Sequence, residues 1–554
     1  MFRPKILTAM RGYTVHKLVT DVLAGSVVGV VAVPLSIAVA VASGATPQQG
    51  LTTAVIAGVT VALFGGGPVQ ISGPTGTLVV IAYAVGAQYG YAGLALATAM
   101  AGVMLMIMGL GRLGRVIQYV PYPIVLGFSA GIATVILISQ IGDLLGMSLV
   151  GAPPDVPSRI AAYAGALDQI RFADALIALV TITIIVGWKY VSQRVPGALI
   201  AILAVTVPTA LFELPVVTIT SRFGGLPRGL SWYGLPQISF ELVQELLLPA
   251  FTIAFLCAIE SLFTAVVADG MVGERHEPNT ELLGEGLANI ASSLFGGIPA
   301  SGAIARTATN ARQGGRSPVG AITNSLLVLL VMVTLSRAAG YIPIAALAGV
   351  LTVVAFNMAE WRSFAALSRG PKSDFTVLLA TFSLTVLVDL SVAIQVGMVL
   401  AAFLFMRRMT IVSHVRLLEP GRGDGEGCYD GRGDDEPTID IPDGVEVYEI
   451  SGPFFFGAAE KFRTTMLMIE RAPRVRVVRM RAVGAIDATG LRLLEDLVID
   501  CERHRTHFIA CSLQYQPERA LRKYGLYERI GAENVTATLN DALARARELL
   551  AEES

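Results

Sequence analysis

One carboxylate, Glu260, stands near the middle of Leu246–Ala268 (LLLPAFTIAFLCAIESLFTAVVA), a run of 23 residues with no other charge. A helix of that length crosses the roughly 30 Å hydrocarbon core of a bilayer. Placing a carboxylate at its centre costs roughly 3 kcal/mol or more. Further along comes Gly296-Gly297-Ile298-Pro299-Ala300-Ser301-Gly302-Ala303-Ile304-Ala305-Arg306-Thr307, a broken, extended run that gives way to a helical pattern carrying an arginine. Irregular backbone at membrane depth survives only where protein buries it or where it lines a wet cavity. A titratable carboxylate, an arginine and a helix start in one neighbourhood can hold an anion and a coupling ion.

A second stretch repeats the pattern. Val69-Gln70-Ile71-Ser72-Gly73-Pro74-Thr75-Gly76-Thr77 is also extended, then turned, then helical, and Ser-Gly recurs at 72–73 and 301–302. Interrupted segments at matching places in two inverted halves point to a transporter's midplane site. Two half-helix starts, at Thr75–Thr77 and Gly302–Ile304, would each offer unpaired N–H groups and about half a positive charge. That attracts an anion. The expected substrate contacts are Ser72, Thr75, Gly76, Thr77, Ser301, Gly302, Ala303, Ile304 and Arg306, with Gly302 set closely against the ligand. Glu260 and Thr264 are the expected coupling-ion pair. Two plainer readings stay open: Glu260 bonded structurally to Ser261 or Thr264, and Arg306 as a cytosolic anchor reaching to the membrane surface.

These residues must be positioned by a membrane bundle. The 554 residues are 54% hydrophobic and 15% charged, against roughly 25% charged in soluble domains. Residues 22–111 contain no Asp, Glu, Lys or Arg. Apolar segments are expected at about 21–42, 51–64, 74–87, 92–110, 121–141, 174–190 and 196–212, then 246–268, 281–295, 302–311, 318–338, 343–357, 374–388 and 390–408. These fourteen spans form a seven-plus-seven repeat, and an odd number per half inverts the second half. With the N-terminus inside, sixteen Lys and Arg fall in inner loops, Arg112, Arg316 and Arg407 among them, against five outside. That asymmetry sets the orientation and puts both termini in the cytoplasm. The basic leader, residues 1–20, lacks a cleavage pattern.

The residues quoted, together with Ala258-Ile259-Glu260-Ser261-Leu262, Val266-Val267-Ala268-Asp269-Gly270, Asn279-Thr280-Glu281-Leu282 and Gly314-Gly315-Arg316-Ser317, resemble the SulP family of anion transporters, which end in a STAS domain. The resemblance implies a transmembrane domain over 21–409. Its core (about 21–110 and 246–338) moves against a gate (about 121–212 and 343–408), with substrate between the ends of spans 3 and 10. It also implies a homodimer in the plasma or inner membrane. Sulfate carriers of plant and animal type tend to have Gln after the proline of span 1 and a Tyr four residues later; here Leu35 and Val39 take those places. Bacterial members carrying bicarbonate or C4-dicarboxylates are the nearer pattern. Sodium-coupled bicarbonate carriers tend to have Asp where Glu260 stands, which puts a proton ahead of sodium as coupling ion.

After Met409 the composition turns soluble. A Gly-rich charged linker is expected over 410–438, then strands at Val445–Ile450, Val475–Met480 and His507–Ser512. Helices are expected at Ala458–Arg471, Thr489–His504, Pro517–Tyr524 and Leu539–Leu550. This alternation makes a small α/β domain, 439–554, similar to STAS domains, which implies a cytosolic partner. Thr489 is the expected N-cap of its helix, and soluble relatives phosphorylate a Ser or Thr in that place. Cys257, Cys428, Cys501 and Cys511 lack metal-ligand spacing, no nucleophile triad or phosphate loop is present, and neither an organic cofactor nor nucleic acid is implied. The reading is a secondary active carrier of a small carboxylate-type anion, with proton coupling. The alternatives are a sodium-coupled bicarbonate or sulfate symporter and, from another class, an anion channel or a membrane-anchored STAS sensor.

Overall fold

The structure, a computed structural model, describes residues 2–115, 121–147, 153, 155–188, 190–191, 196–224, 229–234, 239–388, 390–418, 440–455, 457, 462 and 473–552. Lys189, Arg194, Arg228, the linker from 419 on and all of the helix expected at Ala458–Arg471 except Phe462 lie outside the described residues. The chain divides into two compact units, Met1–Ala401 and Ala402–Ser554.

In the first unit every expected span falls on helix. Span 1 is Val15–Ala42 and span 2 is Pro47–Phe64. Spans 3 and 4 share Val79–Leu110, broken at Gly90, where φ is 68° and ψ −177°. Spans 5 to 7 are Tyr122–Leu144, Phe172–Trp188 and Gly197–Leu211. Spans 8 to 11 are Phe240–Val272, Pro278–Leu294, the short Ile304–Arg312 and Val319–Thr334. Spans 12 to 14 are Ile344–Met358, Lys372–Leu387 and Leu390–Val412. Five stretches, Val15–Ala42, Gly76–Leu110, Tyr122–Leu144, Phe240–Val272 and Ile344–Leu367, cross a bilayer on length and apolar composition alone.

The helices pack in two groups. Span 9 lies against spans 2 and 3–4, span 8 against 3–4, and span 11 against 1 and 2. Spans 12 and 13 lie against span 5, span 12 against span 6, and span 6 against span 7. Small residues permit this closeness. A Cβ at Gly102 would meet the Gly286 carbonyl at 2.6 Å, and one at Gly286 would meet that of Gly102 at 2.6 Å. Helices without a hydrophobic drive between them associate through such backbone contact.

The second unit carries a five-stranded sheet in chain order: β3 (His414–Leu418), β4 (Val445–Ser451), β5 (Val475–Ala482), β6 (His507–Cys511) and β7 (Val535–Thr536), numbered after the two short strands of the membrane unit below. β3 pairs antiparallel with β4 and the other neighbours are parallel. Helices Ala488–Arg503 and Tyr515–Tyr524 bury Leu494 and Leu521 in one core of the sheet, and Leu539–Glu552 buries Leu543 in the other. Two expectations are corrected. His414–Leu418 is strand rather than linker, because Val415 and Leu418 pack on the sheet's two cores. The cap of Ala488–Arg503 is Asp487, whose Oδ1 accepts from Gly490 N at 2.8 Å. Thr489 lies inside the first turn with its side chain exposed.

Candidate functional site

The two interrupted stretches meet. β1 (Ser72–Gly73) pairs antiparallel with β2 (Ser301–Gly302), Ser72 opposite Gly302 and Gly73 opposite Ser301. Two-residue strands leave most of their backbone groups unpaired, and orphaned groups inside a membrane bundle are costly. Side chains from the surrounding spans supply the partners. Thr53 Oγ1 accepts from Ile298 N at 2.7 Å, and the Asn289 amide bonds both N and O of Ala300 at 2.9 Å. Thr307 Oγ1 accepts from Ile71 N, Asn310 Nδ2 donates to Val69 O, and Ser261 Oγ accepts from Gly302 N at 2.9 Å. The crossing is therefore a rigid scaffold rather than a loop.

From this crossing two helices start. Span 3 is entered through a 3-10 turn, Gly76–Leu78, and span 10 begins at Ile304. Among the described residues the N–H groups of Gly76, Thr77, Ile304, Ala305 and Arg306 have no acceptor in the protein. All five residues border one cavity of about 350 Å³. Leu35 and Val39 of span 1, Glu260 of span 8, and Asn357 and Met358 of span 12 also line it. Its mouth lies at the cytosolic ends of spans 5 and 12, where the exposed Tyr122 hydroxyl donates to Glu360 Oε2 at 3.4 Å.

Charge in the cavity comes from Glu260 and Arg306. Glu260 Oε2 accepts from Ser301 Oγ at 2.5 Å and from Thr75 Oγ1 at 2.9 Å, so one carboxylate oxygen ties span 8 to both halves of the crossing. Ser301 and Thr75 lie 2.7 Å apart, hydroxyl to hydroxyl, and Thr75 is 3.3 Å from Thr77. Arg306 is buried and does not reach the surface as an anchor: Nη2 donates to Pro74 O at 2.6 Å. Among the described residues its Nε and Nη1 have no partner. Gly73 makes room for it, since a Cβ there would stand 2.8 Å from Nη1. Two unpaired guanidinium donors, bare helix N–H groups and one carboxylate border the same space, a set that suits an oxyanion with a cation-sensitive acid beside it.

Not every expected contact faces that space. Ser72 turns away and bonds Glu285 in the interior. Gly302 does not face the cavity, which corrects the expectation that it sits against the ligand. A Cβ on it would meet the Gln70 side chain and, at 3.1 Å, Ser261 Cα. Thr264 is buried with its hydroxyl donating to Gly302 O at 2.9 Å, so it braces the crossing rather than bordering the cavity. Glu260 is held by Ser301 and Thr75 rather than by Ser261 or Thr264. Glu281 and Glu285 of span 9, which brace the crossing from the interior rather than border the cavity, were not singled out as site residues by the sequence reading. Glu281 Oε2 accepts from Gly66 N and Gly67 N, each at 2.7 Å, where span 2 ends. Their one-turn spacing in a fully buried helix face was the signal available.

Comparison with known proteins gives the family and the fold. The sulfate permease family matches residues 18–381 and the STAS domain residues 436–542. The chain is 38% identical to "Putative sulfate transporter YvdB" of Bacillus subtilis (strain 168), covering 95% of this chain and 97% of that protein. It is 30% identical to the bicarbonate transporter BicA of Synechocystis sp. (strain ATCC 27184 / PCC 6803 / Kazusa), covering 95% and 94%. The solved transmembrane domain of a cyanobacterial BicA superposes with a TM-score of 0.63 at 30% identity, covering 70% of this chain and 98% of that one. SLC26A9 shares the fold, with a TM-score of 0.87 at 16% identity over 99% and 93% of the two chains.

Proposed function

The chain belongs to the sulfate permease family of integral, multi-pass anion transporters, transporters rather than enzymes, and from that premise we propose that it is a carrier that takes up a small carboxylate-type anion, bicarbonate or a C4-dicarboxylate, in symport with protons. The observation that carries this reading is Arg306: a buried guanidinium with two unpaired donors beside a cavity bordered by two half-helix starts. The anion lies between Thr75–Thr77 and Ile304–Arg306, where N–H groups lack acceptors. Leu35 and Val39 make the facing wall apolar and favour a compact ligand over one needing several hydroxyl or amide contacts. Glu260 couples the movement. It shares its hydroxyl partners with both half-helices, so a change in its charge alters the potential at the anion and the join between the halves. The packed groups of helices supply a core, spans 1–4 and 8–11, that moves against a gate. Sulfate is the second reading, favoured by the name of the 38% identical relative. A homodimer, and a cytosolic partner for the STAS domain through exposed Thr489 or its surroundings, complete the proposal.

Purified protein in liposomes, offered [14C]bicarbonate at alkaline pH, [14C]fumarate and [35S]sulfate with an imposed proton gradient, a sodium gradient or neither, tests it. Gradient-driven accumulation of bicarbonate or fumarate with protons is the expected result. Accumulation with sodium alone replaces the coupling ion, downhill flux at channel rates refutes a carrier, and no flux of any probe refutes transport of these anions.

A further inference from the structure

A second cavity, of about 500 Å³, lies along the same helices as the first. On span 1 the inner cavity reaches Val39 and the outer begins at Ala42; on span 3 the step is from Thr77 to Val79; on span 5 it is from Ser129 to Val135. Gln88 and Leu387, at the outer ends of spans 3 and 13, mark its far side. Two cavities in file on the same helices suggest one path with an inner and an outer part.

Among the described residues, Arg159 is the cation that lines the outer cavity. Arg159, in the short helix Val156–Ala164 between spans 5 and 6, is only 6% exposed. Its Nε donates to Pro153 O at 2.8 Å and its guanidinium carbon stands 4.8 Å from the centre of the Tyr83 ring on span 3. Stacking on a ring engages the face of a guanidinium and leaves its in-plane N–H groups for a planar oxyanion. Among the described residues Nη1 and Nη2 bond no acceptor. Asp155, the acidic residue of the lining, is committed as helix cap to Ser158 N at 2.9 Å and forms no ion pair with Arg159. Its nearby charge keeps the site weak, as a station must be if ions are to leave it.

We propose that Arg159 is an anion-binding residue of an outer station, where a small oxyanion coming from outside is held in the plane of the guanidinium before it reaches Arg306. The same guanidinium, stacked on Tyr83 and bonded to Pro153 O, joins the loop after span 5 to span 3 beside this cavity. This rests on the transport reading above.

The test is charge replacement from outside. Arg159→Cys and Arg159→Lys are made in the full chain in right-side-out vesicles, and initial uptake of [14C]fumarate, [14C]bicarbonate and [35S]sulfate is followed below saturation. Loss of one charged hydrogen-bonding group lowers the initial rate in Arg159→Cys by about ten-fold or more. External modification with the impermeant cationic thiosulfonate MTSET, which returns charge but no N–H donors, restores part of it; the anionic reagent MTSES does not. Arg159→Lys, which keeps the charge but not the planar pair of donors, runs between Arg159→Cys and the wild type. Equal effects of the two reagents, a wild-type rate in Arg159→Cys, or Arg159→Lys as slow as Arg159→Cys each overturn the station. If Arg159→Cys fails to reach the membrane, the lysine variant alone decides: a wild-type rate, or one lower by about ten-fold or more, overturns the station. Absence of flux in the wild type, by contrast, removes the transport reading first.

Discussion

Arg306→Lys separates positive charge from guanidinium geometry at the candidate anion site. Arg306 does two things at once: Nη2 holds Pro74 O at 2.6 Å, fixing the turn into span 3, while Nε and Nη1 stay unpaired beside the cavity. Lysine keeps the charge but has one ammonium for both tasks. If it satisfies the buried carbonyl, the anion loses at least one charge-assisted hydrogen bond, about 1.5–3 kcal/mol. Some of that returns through the retained charge, so a net loss of about 2 kcal/mol, roughly 30-fold in affinity, is expected for a planar oxyanion. Chloride cannot use a planar pair of donors and should weaken only a few-fold, roughly 1 kcal/mol or less. Titration calorimetry or scintillation proximity on purified protein measures both. Arg306→Met serves as the limit: binding disappears, and the orphaned Pro74 carbonyl lowers stability by about 1–3 kcal/mol. Wild-type oxyanion affinity in Arg306→Lys, or equal losses for oxyanion and chloride, would refute the argument that the two unpaired nitrogens hold the substrate.

Glu260→Gln keeps an acceptor for Ser301 and Thr75, so the protein should fold and bind anion while losing its response to an imposed gradient; uptake that still follows the gradient removes Glu260 from coupling. Gly302→Val drives a side chain into Gln70 and Ser261 and should lower thermal stability by about 1–3 kcal/mol, the usual range for overpacking, together with anion binding. A wild-type melting temperature for the purified variant would show that the crossing is looser than its hydrogen bonds imply. In the second unit, a fragment of residues 413–554 keeps β3 beside β4, whereas 440–554 leaves the β4 edge bare and open to association. The shorter fragment should melt lower and self-associate, by calorimetry and light scattering; equal behaviour would make β3 dispensable.

What the sequence made legible follows from how strongly each feature is forced. A bilayer requires about twenty apolar residues per long crossing, so the spans could be placed to within a few residues, and Gly and Pro in uncharged surroundings marked both halves of the crossing. The pairing of Ser72 with Gly302 was implied only by symmetry; nothing local specifies the partner of a two-residue strand. Facing was the harder question. Gly302 looked like a ligand contact because glycine admits close approach from any direction, yet the approach is made by Gln70 from behind. Thr264, one turn after Glu260, shares a helix face with it by spacing, but its hydroxyl reaches the Gly302 carbonyl because the crossing lies against that face. Arg306 shows the converse. Sequence left it between anchor and site, and what decides is that Pro74 O stands within 2.6 Å of one nitrogen while two others find nothing. Arg159 was counted only as one of the charges that orient the loops. Its burial against Tyr83 depends on span 3 passing the loop after span 5, a tertiary fact with no trace in local pattern. Periodicity and composition thus report which residues the membrane tolerates, and only the crossing backbones report which of them face the path.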